Sequence, residues 1–337
     1  MKRLQTLTFA TLLLLAASAA TAGPRDALWD QVNDAISKGL PKTAAAVLDQ
    51  IIPEALADEA YAEATRAICR KIVMEGMVEW DGYEKMIVKL EAQIAEAPEP
   101  MSPLMEAILA HWYWEYFQAN RWRFMQRTQT AEPPGAEIAT WDLARILAEI
   151  DTHFTLALAA EEELKAIPIA QWDDLLEKGS LPDSYRPTLY DFLVHEALSF
   201  YTSGEQAGAL PQDTFEFMAD SPIFSPVAEF LQWEPQTPDT DSAKLKAIRL
   251  YQDLLTFHRD DTDKTAFIDA DLHRLLFGYN EALGPDKASF YVEALERFVA
   301  QWEGHEIAGR GFYERARVAH EQGDVVAGQR AGELHAV

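Results

Sequence analysis

The sequence predicts an all-α fold of irregular helical repeats, an α-solenoid of tetratricopeptide-like pairs, and three observations lead there. Apolar residues recur at steps of three and four through almost every long segment. No stretch sustains the period-two alternation of a strand. The interruptions are short and carry glycine or proline, which end one helix and open the next.

Residues 25–38 place Leu28, Val32 and Ile36 on one face, and Gly39 follows. Pro41 then opens 41–57, where Ala45, Leu48, Ile51 and Ile52 repeat the pattern. Segments 59–77, 83–97 and 103–122 continue in the same manner. Two stretches break the rhythm: "TAEPPGAEIATWD" at 130–142, and 210–242, which holds five prolines and little periodicity. The predicted organisation is therefore a leader at 1–22, N-terminal helical repeats at 23–129, central helices at 130–209, a proline-rich connection at 210–242 and C-terminal helical repeats at 243–337. Within the last, "ARVAHEQGDVVAGQRAGEL" (316–334) reads as two helices joined at Gly323-Asp324.

Lys2 and Arg3, the apolar run "LTFATLLLLAASAA" and the small-residue pattern Ala20-Thr21-Ala22 predict a secretory signal peptide cleaved before Gly23. The alternative is a retained anchor, but the apolar run is about a dozen residues where a spanning helix needs about 20. The expected location is periplasmic or secreted, with no stable membrane insertion after cleavage. The chain is 48% hydrophobic and 11% aromatic, a globular composition. Its 55 acidic and 29 basic residues give a formal charge of −26, which losing the two charges of Lys2 and Arg3 makes −28. Such a surface repels phosphate backbones, so no nucleic-acid partner is expected. Cys69 is the one cysteine, which precludes an intramolecular disulfide. Its place among Ala67, Ile68, Ile72 and Val73 favours a buried thiol over a reactive one.

Several stretches approach a chemical motif and fall short. His195-Glu196 begins a His-Glu-x-x-His zinc helix, but the fifth position is Ser199. A histidine packed at a helix interface is the favoured reading. The segment 261–272 has Asp261, Asp263 and Asp269 where a calcium loop would, with Ala266 in the glycine position and Leu272 in the place of the bidentate glutamate. Helix capping by the aspartates is preferred. His258-Arg259-Asp260 has no glycine-rich loop or Asp-Phe-Gly beside it, so a kinase reading is rejected. In "HWYWEYFQANRWRFMQRT" (111–128), Trp112, Tyr113, Trp114, Tyr116, Phe117, Trp122 and Phe124 spread around the helix, which predicts packing on several sides. The alternative is an aromatic groove edged by Arg121, Arg123 and Arg127. Ser203-Gly204-Glu205-Gln206 differs from the Cys-Gly-Glu-Gln of an internal thioester only at its first residue. Serine without an activating base is a poor nucleophile, and Gly204 suits a left-handed helix C-cap. No catalytic residue, cofactor or metal ligand is predicted, and the chain reads as non-enzymatic.

Five stretches in order, "LPKTAAAVLDQI", "WYWEYFQANRWRFMQRTQTAEPPG", "TWDLARILAEIDTHF", "LKAIPIAQWDDLLEKG" and "YRPTLYDFLVHEALSFYTSGEQAG", resemble the helical N-terminal region of large bacterial α-2-macroglobulin family proteins. The resemblance spans about residues 26–330. It implies a secreted or periplasmic endopeptidase inhibitor whose full-length form traps proteases, with the bait and thioester regions lying outside this chain. It transfers no functional residue, and it makes Ser203-Gly204-Glu205-Gln206 a coincidence at a helix end. The implied role is a helical scaffold or docking region with protein partners, including proteases met through the full-length protein. A free-standing periplasmic helical-repeat binding module is the alternative, and an enzyme using His195 and Glu196 is a third, disfavoured one.

Overall fold

The computed structural model describes residues 3–4, 23–79, 82–126, 137–177, 179–204 and 214–323. The fold is all-α. Among the described residues, paired strands are limited to Arg3–Leu4 against Leu176–Glu177. The chain divides into two compact units, 1–196 and 197–337.

The first unit opens with α1 (Asp26–Ser37) and α2 (Pro41–Ala57). Gly39 takes φ +67°, so its amide bonds to Ile36 O at 3.0 Å and that of Leu40 to Ala35 O at 2.9 Å. This paired C-cap reverses the chain, and Pro41, lacking an N–H, costs nothing in the first turn of α2. Then come α3 (Tyr61–Glu79), α4 (Tyr83–Glu96), α5 (Ser102–Ala119), α6 (Arg121–Gln126), α7 (Leu143–Ala157), α8 (Glu161–Ala166) and α9 (Leu189–Tyr201). Residues of α9 from Ala197 onward belong to the second unit.

From α1 through α5 each helix packs on its neighbour in sequence, and α7 packs on α5. Small residues set the approach of α2 and α3, where Ala44, Ala55, Ala64 and Ala67 are fully buried. Cys69 is buried in α3, as predicted, and burial pushes its thiol up to about 12. Asp142 caps α7 by accepting from Arg145 N at 2.8 Å.

In the second unit α11 (Ala243–His258), α12 (Thr265–Glu281), α13 (Lys287–Gln301) and α14 (Ala308–Glu321) again pair with their sequence neighbours. The stretch at 214–242, read from sequence as a connection, carries the short helix α10 (Val227–Phe230) and buries Phe217, Phe224 and Phe230. Its anchor is Arg274 of α12, 2% exposed, which donates through Nη1 to Ile223 O at 2.8 Å and Ser225 O at 3.0 Å. Asp271 holds the other edge of that guanidinium at 2.6 and 2.9 Å. Gly278 lets the stretch lie flat on α12, because a Cβ there would come within 2.7 Å of Ile223. The helix expected after Gly323-Asp324 lies outside the described residues.

A candidate binding cleft on helices α4 and α5

Helix α5 is buried on most sides, in keeping with its aromatic content. Trp112, Tyr113, Tyr116 and Phe117 are all in the core. Two hydroxyls tie it to α4: Tyr113 OH donates to Glu91 Oε1 at 2.6 Å and Tyr116 OH to Glu84 Oε1 at 2.7 Å. His153 of α7 stacks on Tyr113 at 5.4 Å and holds Glu106 at 2.6 Å. With its neighbours fixed, one stripe of α5 is left at an open cleft of about 350 Å³ lined by Tyr83, His111, Trp114, Glu115 and Gln118.

The four α5 residues sit at i, i+3, i+4 and i+7, the spacing of a single helix face. His111 is oriented from behind, its Nε2 2.7 Å from Glu196 Oε2. Its ring stacks on Trp114 at 6.1 Å, and Phe154 meets it edge-on at 5.7 Å. Burial raises the Glu115 carboxyl above its usual range, and His111 pulls it back in part. Burial also raises the Tyr83 phenol, with the Glu115 charge adding to it. The cleft thus offers aromatic faces, a carboxyl, an amide and an imidazole braced by a second carboxylate. That set suits a cationic group, which gains from π faces and from carboxylates at once.

The structure separates His195 from Glu196. His195 Nδ1 lies 2.8 Å from Asp191 O within its own helix, while Glu196 reaches across to His111. The N-cap position of α12 is Lys264, without a side-chain cap; Asp263, one residue earlier, accepts from Thr265 N at 2.9 Å and Thr265 Oγ1 at 2.6 Å, and Asp261 pairs with His258 at 2.7 Å. Asp269 is buried and bound by Arg310 at 2.5 Å. Ser203 Oγ donates to Phe200 O at 2.8 Å, and Gly204 takes φ +73°. Glu205, Gln206 and Arg127 lie outside the described residues. Of the arginines expected to edge an aromatic groove, Arg123 packs over Tyr116 and Phe124 at 5.4 and 5.3 Å.

The sequence offers a groove in this run only as an alternative edged by arginines, because the cleft residues alternate with core aromatics in "HWYWEYFQ". The available clue was that His111, Glu115 and Gln118, the polar members of that run, share one face.

Comparison of the chain with family models, with curated proteins and with solved structures finds no match. No described helix is long and apolar enough to cross a membrane.

Proposed function

We propose that this chain is a helical scaffold that docks a protein partner, taking a basic side chain of that partner into the α4–α5 cleft. The observation that carries the reading is the cleft itself, where Trp114 and Tyr83 flank Glu115 on helices fixed by packing. Isothermal titration with a lysine-bearing peptide and its acetyl-lysine counterpart tests it. Binding of the first that weakens by at least about tenfold on acetylation, and in Glu115→Gln, is expected; equal binding of both peptides overturns the cleft reading.

The wider setting we propose is the one the sequence resemblance implies, an N-terminal helical docking region of a secreted protease-trapping macroglobulin, built as irregular helical repeats. The expected behaviour of the full-length protein is to deny a captured protease its large substrates while small peptide substrates still reach it. Retention of that behaviour after this helical region is deleted would reject the docking role. The alternative, a free-standing helical-repeat binding module, is favoured by the cleft's completeness within the chain. Titration of the isolated chain, set beside the full-length assay, separates the two.

A further inference from the structure

In a protein of net charge −26, cations have many carboxylates to choose from. Arg25 takes Glu63 and Asp58, Arg274 takes Asp271, and Arg317 takes Glu314 and Glu321. Two arginines of α3 depart from this pattern. Arg66 makes no hydrogen bond and no ion pair among the described residues, and its Nε is sealed from solvent without an acceptor. Arg70, one turn on, has a single hydrogen bond, from Nη1 to Asn33 Oδ1 at 3.2 Å.

Both guanidiniums are half-buried and gather over Trp29 of α1, Arg66 at 4.2 Å from the ring centroid and Arg70 at 5.5 Å. Contact with the ring positions both groups, and the Nη groups of Arg66, unlike its Nε, are not sealed from solvent and have no described acceptor. Burial lowers the pKa of Arg66, with Asp174 and Glu63 restoring only part of it. Burial, joined by the charge of Arg66, lowers Arg70 to about 10. The nearby acid Glu63 is already committed, accepting from Arg25 at 2.6 and 2.9 Å and from Trp29 Nε1 at 2.7 Å. Two desolvated like charges one helical turn apart repel each other, and buried charge of this kind is ordinarily paired.

We infer that Arg66 and Arg70, with Asn33, form a binding site for a carboxylate group. The two guanidinium edges supply paired donors of the kind a carboxylate accepts in bidentate fashion. A singly charged carboxylate fits better than a phosphate dianion, because Glu63 and Asp174 stand close enough to repel each added negative charge. The site lies on α1 and α3 and is independent of the α4–α5 cleft.

The test is titration calorimetry on the whole chain with four probes: an acetylated alanine tetrapeptide with a free C-terminus, its C-terminal amide, sodium acetate and inorganic phosphate. The expected result is binding of the free-acid peptide that falls at least about tenfold in the amide, in Arg66→Gln and in Arg70→Gln. Acetate binding as tightly as the peptide identifies a small free acid as the source, and peptide binding well above acetate identifies a chain terminus. Either supports the site. No binding by any carboxylate, equal binding of acid and amide, or preference for phosphate overturns it. The comparison of acid and amide needs only the native protein, so a variant that fails to fold does not blunt the test.

Discussion

His153 Nδ1 and Glu106 Oε2 stand 2.6 Å apart, both buried where α7 meets α5. Truncating Glu106 to alanine leaves a buried imidazole without that acceptor, at a cost of about 1 to 3 kcal/mol. Glu106→Gln keeps an acceptor and should lose less. Urea denaturation of the two variants beside the parent checks the order, and a Glu106→Gln protein weaker than Glu106→Ala would contradict it.

Two glycines should resist alanine for different reasons. At Gly278 a Cβ would meet Ile223 at 2.7 Å and Phe224 at 3.0 Å, so Gly278→Ala should cost about 1 to 3 kcal/mol through overpacking. At Gly39 nothing lies within 4 Å, but φ is +67° and Gly39→Ala should cost about 1 to 2 kcal/mol through backbone strain. Ile223→Ala should relieve the first and leave the second untouched, which a double-mutant cycle reads directly.

Arg274→Ala should be among the most damaging single changes. It strips Asp271 of its partner and leaves Ile223 O and Ser225 O without theirs, a loss of roughly 3 to 5 kcal/mol. Lysine cannot reproduce a fork that serves a carboxylate on one edge and two carbonyls on the other, so Arg274→Lys should recover little. Limited proteolysis offers a local readout, with cleavage expected first between 217 and 231.

Alkaline pH should weaken the fold. The Cys69 thiol holds its proton to about 12 when folded, against 9.0 when unfolded, so unfolding releases a proton between those values. Stability from this group is complete below about 9 and lost as the pH climbs to 12. Tyr113 and Tyr291, both raised chiefly by burial, act in the same direction. Melts taken from pH 8 upward should show a progressive fall that Cys69→Ala lessens. In the native protein at pH 8 a thiol reagent should find no reactive cysteine, and in denaturant it should find one.

Ser203→Ala should melt close to the parent, because it loses one local hydrogen bond worth about 1 kcal/mol at most. Phe200→Ala and Leu193→Ala empty buried positions in α9 and should each cost roughly 2 to 5 kcal/mol. A Ser203→Ala protein with an unchanged melt but lost partner binding would make that stretch a site.

The all-α class and the capped junction at Gly39-Pro41 were legible because periodicity and caps are local properties of the chain. Helix α5 shows where locality ends. Its apolar residues foretold burial on several sides, yet read as one helix the segment ran on to residue 122. Asn120 breaks it, α6 restarts at Arg121 in a new phase, and Trp122 is left 76% exposed. Glu196 is the sharper example. Its neighbour His195 invited a metal reading, but the partner that matters is His111, 85 residues away. Nothing within a helical turn of either residue announces that pairing. The proline-rich 214–242 stretch lacks periodicity because Arg274 and Gly278, far along the chain, do the work that a repeating pattern does elsewhere.

The sequential pairing of helices within each unit also bears on how the chain reaches its structure. Contacts between consecutive helices close short loops, so little chain entropy is surrendered before each interface begins to contribute. A unit of this kind can grow outward from any well-formed pair, α2 with α3 for instance, each new helix finding its template already in place. A chain that folds by such accretion keeps little apolar surface waiting on residues that have yet to arrive.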